Sequence, residues 1–314
     1  MKSSRTPAVA RRAKGERVHA LTGALVRGRA VPVLTVVLAI VVIWYACTVW
    51  LNAPGVLDGY ARDGRPSWSF GELIADTMSA PRPVLPAPHQ VLAELNRSVL
   101  EVAPDSRRSL VYHAWVTLSS ALLGFCFGTL LGIILAVGIV HVRTLERALM
   151  PWLIGSQTVP ILAIAPMIIV VLGSMGLVGL VPKAIISAYL CFFPVTIGMV
   201  KGFTSPEPLH LDLIRTYHAG TAQVFWKLRW PSAIVYLFAS LKVAVALAIV
   251  GAIVGELPTG AQAGLGARLL TGSYYGQTVQ IWAALIVAGV IAGLCVAALG
   301  LVERLTLRRM GGRP

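Results

Sequence analysis

Residues 115–140 read WVTLSSALLGFCFGTLLGIILAVGIV, without a single Asp, Glu, Lys or Arg. An α-helix needs about 20 predominantly apolar residues to cross the roughly 30 Å hydrocarbon core of a bilayer. This stretch is long enough, and lipid leaves its backbone groups no partners outside the segment, so a helix is predicted. Five more long apolar runs flank it: Val31–Leu51, Leu153–Leu172, Leu180–Val200 with Lys183 near one end, Ser232–Val254 with Lys242, and Val279–Val302. The chain has 314 residues, 56% hydrophobic and only 13% charged. A soluble domain carries about a quarter charged residues, so these proportions exclude a soluble enzyme and a disordered chain. The fold class predicted is all-α, a polytopic membrane protein with six transmembrane helices.

Charge orients the six spans. Residues 1–30, the loop 141–152, the loop 201–231 and the tail 303–314 together hold 18 basic and 5 acidic groups, whereas the opposite side holds 8 of each. Basic excess marks the cytoplasmic face, which places both termini there. The formal net charge of +14 is then a topology signal. No basic patch is interleaved with exposed aromatics, so nucleic acid is not expected as a partner, whereas membrane lipid is. The first apolar run, about 20 residues, exceeds the 7–15 of a cleaved signal and reads as a retained span.

The organisation expected is a basic cytoplasmic tail (1–30), a first span (31–51), an outer segment (52–113), a core of five spans (114–302) with a cytoplasmic loop at 205–231, and a second tail (303–314). The outer segment is rich in Pro, Gly and Asp, and its composition is too mixed for a core of its own. Within it, Pro88 followed by Val91, Leu92, Leu95 and Val99 gives one apolar helical face, an interfacial helix by expectation.

No phosphate-binding G-x-x-x-x-G-K-[ST] loop, H-E-x-x-H pair or G-x-S-x-G elbow occurs. The four cysteines lie in separate apolar runs with no CxxC pair, and no metal site is expected. Gly124, Gly128 and Gly132 stand four apart, as do Gly251 with Gly255 and Gly289 with Gly293. This spacing lets helices approach closely, within one subunit or across a dimer interface. Pro160 and Pro166 flank Ala163 in the third span. Broken membrane helices either line a solute path or are structural kinks. Lys242, inside the fifth span, either snorkels to headgroups or faces an anionic solute. Glu256, at the outer end of that span, either helps form a mouth or is solvated. Pro160, Ala163, Pro166, Lys242 and Glu256 are therefore the candidates for a pathway or gate.

The loop Asp212–Ala233 reads DLIRTYHAGTAQVFWKLRWPSA. It resembles the signature loop of binding-protein-dependent transport permeases, the membrane subunits of ABC importers. Their pattern is Glu-x-Ala, a Gly shortly after, and a Pro thirteen residues past that Gly. Aligned on Pro231, Asp212 takes the acidic position, Arg215-Thr216 fits the common Ala-Arg-Thr run, and Gln223 and Phe225 fit the Gln-x-Phe that follows. Two positions depart: Ile214 replaces the usual Ala, and His218 stands where Gly is usual. Leu85-Pro86-Ala87-Pro88, Thr117-Leu118, Pro160-x-x-Ala163-x-x-Pro166 with Gly173, Gly251-Ala252 through Glu256, and Gly264-Leu265-Gly266 resemble the nitrate, sulfonate and taurine branch.

The resemblance implies the type I ABC importer permease fold, in the bacterial inner membrane. It also implies a homodimer, two ABC ATPase subunits and a periplasmic or lipid-anchored solute-binding protein. ATP and Mg would be bound by the ATPase, with no cofactor in this chain and no catalytic residue. The segment Leu211, Asp212, Leu213, Ile214, Arg215, Thr216, Tyr217, His218, Ala219, Gly220 would be a coupling helix, anchored by Leu211, Ile214 and Tyr217 and oriented by Asp212 and Arg215. The solute expected is small and polar or anionic, such as a sulfonate, taurine or nitrate. Tyr274, Tyr275 and Gln277 in the loop 260–276 leave room for a pyrimidine, thiamine-precursor or riboflavin-like one. Two rival readings make different expectations. A self-powered secondary transporter or channel would move solute without nucleotide, and a membrane enzyme would show a His/Asp cluster at a span end.

Overall fold

A computed structural model describes residues 30–65, 67–258 and 263–310. The basic tail expected before residue 30, part of the loop 260–276 and the end of the second tail lie outside the described residues. The described residues are helices joined by turns, with no strand among them. They form two compact units, one ending at Val91 and one beginning at Leu92.

In the first unit, α1 (Ala30–Arg62) continues past Leu51, where the sequence predicted an end. Helix α2 (Phe70–Ser79) packs on it and starts in a capping box. The Glu72 N–H donates to Ser69 Oγ (3.2 Å) and the Ser69 N–H to Glu72 Oε2 (2.9 Å), so two orphan donors are met reciprocally. The outer segment does have an interior here, contrary to expectation. Tyr60, Leu73, Thr77, Ala87 and Val91 are buried, and buried Asn52 organises them. Its amide oxygen accepts from the Val84 and Leu85 N–H groups (2.7 and 3.2 Å). Its NH₂ donates to the Leu85 and Thr77 carbonyls (2.9 and 3.2 Å). One polar side chain thus satisfies a Pro-rich turn that apolar composition alone would not have revealed. Helix α3 (Pro88–Asn96) follows, extended by a π-helical turn at Arg97–Glu101.

The second unit is built on α4 (Leu110–His141), α7 (Leu180–Thr204) and α10 (Trp230–Glu256). Between α4 and α7 lie α5 (Arg143–Ser156) and α6 (Ile161–Ser174). Then come α8 (Pro208–Thr216) and the short α9 (Thr221–Val224), which runs into α10 through a π-helical turn at Phe225–Arg229. Last come α11 (Leu265–Tyr274) and α12 (Thr278–Arg309). Among the described residues, five helices are long and apolar enough to cross a membrane. The expected third span is instead the pair α5 and α6, bent by 101° at a break, and it makes six spans if the pair is one crossing. Pro160 sits at the break as the residue before α6, where its missing N–H costs no helical bond. The Tyr189 hydroxyl donates to the Ser156 carbonyl (2.5 Å), tying the end of α5 to α7. Pro194, by contrast, is passed without a break.

The glycine ladder explains why α4, α7 and α10 form the core. A Cβ on Gly128 would stand 2.6 Å from Cys191 Cβ and 2.7 Å from the Ala188 carbonyl oxygen. One on Gly251 would stand 2.7 Å from Ser187 Cα. These glycines pack within the chain. Gly289 and Gly293 do not, since nothing lies within 4 Å of a Cβ at either. Buried Cys191, Val195, Met199, Ala244 and Ala248 fill the seam. Gly128→Leu is therefore expected to abolish accumulation of monodisperse full-length protein, while Gly289→Leu is tolerated. Equal yields of the two variants by size-exclusion chromatography would contradict this packing.

Candidate functional site: a surface helix, a buried polar junction and a broken span

Between α7 and α10, Pro208 at the first helical position starts α8, and its last turn closes with His218. His218 has φ 52°, alone in that region among the described non-glycine residues. Its N–H donates to the Arg215 carbonyl (2.9 Å) and the Ala219 N–H to the Ile214 carbonyl (3.4 Å). That is the Schellman pattern, whose left-handed residue is usually Gly. The departure noted in the sequence is thus a real backbone cost carried by an L-residue. His218→Gly is expected to stabilise the turn by about 0.5–1 kcal/mol. Slower amide exchange at residues 214–219 of the full chain would show it, and faster exchange would contradict it.

The helix begins earlier than expected and ends at Thr216, leaving Tyr217–Gly220 as a turn. Its apolar residues divide differently from the predicted anchors. Leu209, Leu213 and Tyr217 are 73%, 54% and 77% exposed. Spaced by four, they form one unpartnered stripe. Leu211 lies on the other side with Arg215 and lines a cavity, and Ile214 is half-buried. Asp212 accepts from Arg215 Nη1 at 3.2 Å, an exposed pair that contributes little stability. Thr216, Ala219 and Gly220 complete the turn: the Thr216 hydroxyl donates to the Leu213 carbonyl (2.6 Å), and the Gly220 N–H donates to Gln223 Oε1 (3.0 Å). Below, Phe203, Phe225 and Trp230 pack with ring centroids 5.2–6.0 Å apart, seating the π-helical turn on α7.

Glu256 is neither solvated nor at an open mouth. It is fully buried, with Thr117 of α4, Lys183 of α7 and the start of α11 around it. The Gly266 N–H donates to Glu256 Oε2 (2.8 Å), the Thr117 hydroxyl donates to the carboxylate (3.0 Å), and Lys183 Nζ lies 3.5 Å from Oε1. Thr117 Oγ1 in turn accepts from the Leu265 N–H (2.8 Å). His113 Nδ1 accepts from the Gly264 N–H (2.9 Å), so its proton is on Nε2, which donates to the Arg107 carbonyl (2.9 Å). Gly264 (φ 127°) has no room for a side chain, because a Cβ would meet the Glu256 carboxylate. Nearby on α11, burial pulls Arg268 below its ordinary value, opposed by Glu94.

Lys242 pairs with Glu303 of α12, so it neither snorkels alone nor stands as a single charge in a path. It lies 14 residues from Glu256 on α10, about 21 Å along the axis at 1.5 Å per residue. Pro160, Ala163 and Pro166 share an exposed side of the bent pair. The five pathway candidates therefore do not form one cluster. Sequence reasoning missed Lys183, His113 and Glu303. The described residues contain no group of His, Cys, Asp and Glu able to hold a metal.

The family described as "Binding-protein-dependent transport system inner membrane component" matches residues 128–312, more than half of the chain, including α8, Lys183, Glu256 and α12. The chain belongs to this family. The permease is 30% identical to a "Probable ABC transporter permease protein" of Haemophilus influenzae, over 72% of this chain and 86% of that one. It is 33% identical to the "Riboflavin transport system permease protein RibX" of Chloroflexus aurantiacus, over 77% and 85% of the two chains. It is also 33% identical to the "Formylaminopyrimidine transport permease protein ThiX" of Halalkalibacterium halodurans, over 58% and 68%. It is thus a multi-pass membrane protein of an ABC permease family, a transport subunit and not an enzyme.

Proposed function

We propose that the permease forms the translocation pathway of an ATP-driven importer in the bacterial inner membrane, with both termini cytoplasmic. Two copies pair, two ABC ATPase subunits hold ATP and Mg, and a periplasmic or lipid-anchored binding protein delivers the solute. The observation that carries this is the Leu209, Leu213 and Tyr217 stripe on α8, exposed in a chain of this family. An exposed apolar stripe on a short helix suits a groove on a partner, with charge at Asp212 setting orientation. ATP-driven closure of the partners would then move α8 as a rigid lever. Because α8 follows α7 after a short turn and leads through α9 and the π-helical turn into α10, the movement reaches the packed core. The exposed side of the bent pair, with Pro160, Ala163 and Pro166, is the surface left for a second copy or a solute path.

For the solute we favour a planar nitrogen heterocycle of the pyrimidine, thiamine-precursor or riboflavin kind. The names of two relatives at 33% identity support it. So do Tyr274 and Tyr275 at the end of α11, 78% and 68% exposed, since phenol rings stack on flat heterocycles. The sulfonate, taurine and nitrate classes are the comparison. Deleting the gene is expected to abolish uptake of radiolabelled formylaminopyrimidine or riboflavin and to leave taurine and nitrate uptake unchanged. The reverse pattern would overturn the solute assignment.

A further inference from the structure

A cavity of about 330 Å³ lies between the end of α4, the inner side of α8 and the segment leading into α10. We propose that this cavity binds a phosphate-bearing anion, held by Arg215, Arg229, His141 and Thr221. No carboxylate is among its lining residues. Arg215 shares one N–H with Asp212 and keeps the rest of its donors. Among the described residues no carboxylate lies within ion-pair distance of Arg229. His141 Nδ1 donates to the Val137 carbonyl (2.8 Å), so Nε2 is an acceptor open to a hydroxyl of the ligand, and the ring is held edge-on to Phe225 at 5.2 Å. Two guanidiniums from different elements match the oxygens of a phosphate better than any neutral group does.

The volume sits at the lower end of small-molecule pockets, roughly 300–1,000 Å³, so it has room for an organic group on the phosphate. Val140 and Val224 supply an apolar wall for that group. Two sources share this chemistry: the headgroup of an anionic phospholipid and a soluble phosphate monoester. The ligand would bridge α4, α8 and the foot of α10, on the side of α8 opposite Leu209, Leu213 and Tyr217. Any effect on coupling rests on the proposed function; the binding itself does not.

The test uses the purified full-length permease and native mass spectrometry with phosphatidylglycerol, phosphatidylcholine and glycerol phosphate as probes. Phosphatidylglycerol or glycerol phosphate should be retained in preference to phosphatidylcholine. Arg229→Gln should lower that retention roughly tenfold, the loss expected from a charge-assisted hydrogen bond. Arg229→Lys should keep most of it, and Arg308→Gln, an exposed arginine outside the cavity, should keep all of it. Competition between the two phosphates separates the sources: displacement of the lipid by millimolar glycerol phosphate assigns a soluble ligand, and persistence assigns the lipid. Equal retention of phosphatidylcholine, or undiminished binding in a monodisperse Arg229→Gln protein, would overturn the proposal. Should Arg229→Gln not fold, Thr221→Val takes its place under the same criterion. No transport or ATPase partner is involved, so failure here leaves the proposed function standing.

Discussion

Replacing Glu256 by Ala is expected to destabilise the permease by about 3–5 kcal/mol, because it leaves the Lys183 ammonium buried without its carboxylate. The same change strands the Gly266 N–H and the Thr117 hydroxyl. In the full chain in detergent the thermal midpoint should drop by roughly 5–10 °C or more. Glu256→Gln keeps acceptors for Gly266 and Thr117 but not the charge, and should fall in between. Adding Lys183→Met to Glu256→Gln removes the orphaned cation and should recover most of the loss. That recovery separates the charge balance from simple loss of packing. An unchanged midpoint in Glu256→Ala would mean that the junction does not hold α4, α7, α10 and α11 together.

The second large effect is on function alone. Leu213→Asp combined with Tyr217→Asp puts two charges on the exposed stripe of α8. Both side chains face solvent, so stability should stay within about 0.5 kcal/mol of the parent. ATP-driven uptake should fall at least tenfold, because a desolvated apolar contact with the ATPase would have to accept two carboxylates. Normal uptake in the double variant would place the docking surface elsewhere. Leu211→Asp makes a useful contrast: Leu211 lines the cavity, so this change should disturb stability before docking.

Much of the fold was legible because each long helix crosses an apolar medium and must be apolar along its length. The runs around α4, α7, α10 and α12 say so directly. In the third run Pro160 and Pro166 signal a kink or a break without choosing between them. Composition cannot tell a kinked span from a pair bent by 101°. The close-packing role of Gly124 and Gly128 was legible from spacing. The open surroundings of Gly289 were not, because the same spacing occurs where no neighbour arrives.

The site was legible in pieces. Thr117, Glu256 and Gly264-Leu265-Gly266 had each been singled out, yet nothing in their order along the chain shows that they meet. Lys183 lacked any signal except its place near a span end. Its partner is 73 residues away, and only the packing of α7 on α10 brings them together. His218 is the opposite case. A missing glycine at one loop position pointed to strain, and the positive φ is there. On α8 the expected anchors Leu211, Ile214 and Tyr217 do not share one exposed face: the helix starts at Pro208, Tyr217 lines up with exposed Leu209 and Leu213, and Leu211 lines the cavity.

The most direct test of the account reconstitutes the full-length permease in proteoliposomes, with and without its ATPase and binding protein, and follows labelled solute. Uptake that requires all three proteins and ATP, and that vanishes with Leu213→Asp/Tyr217→Asp, is the predicted result. Solute accumulation by the permease alone, without nucleotide, would contradict it.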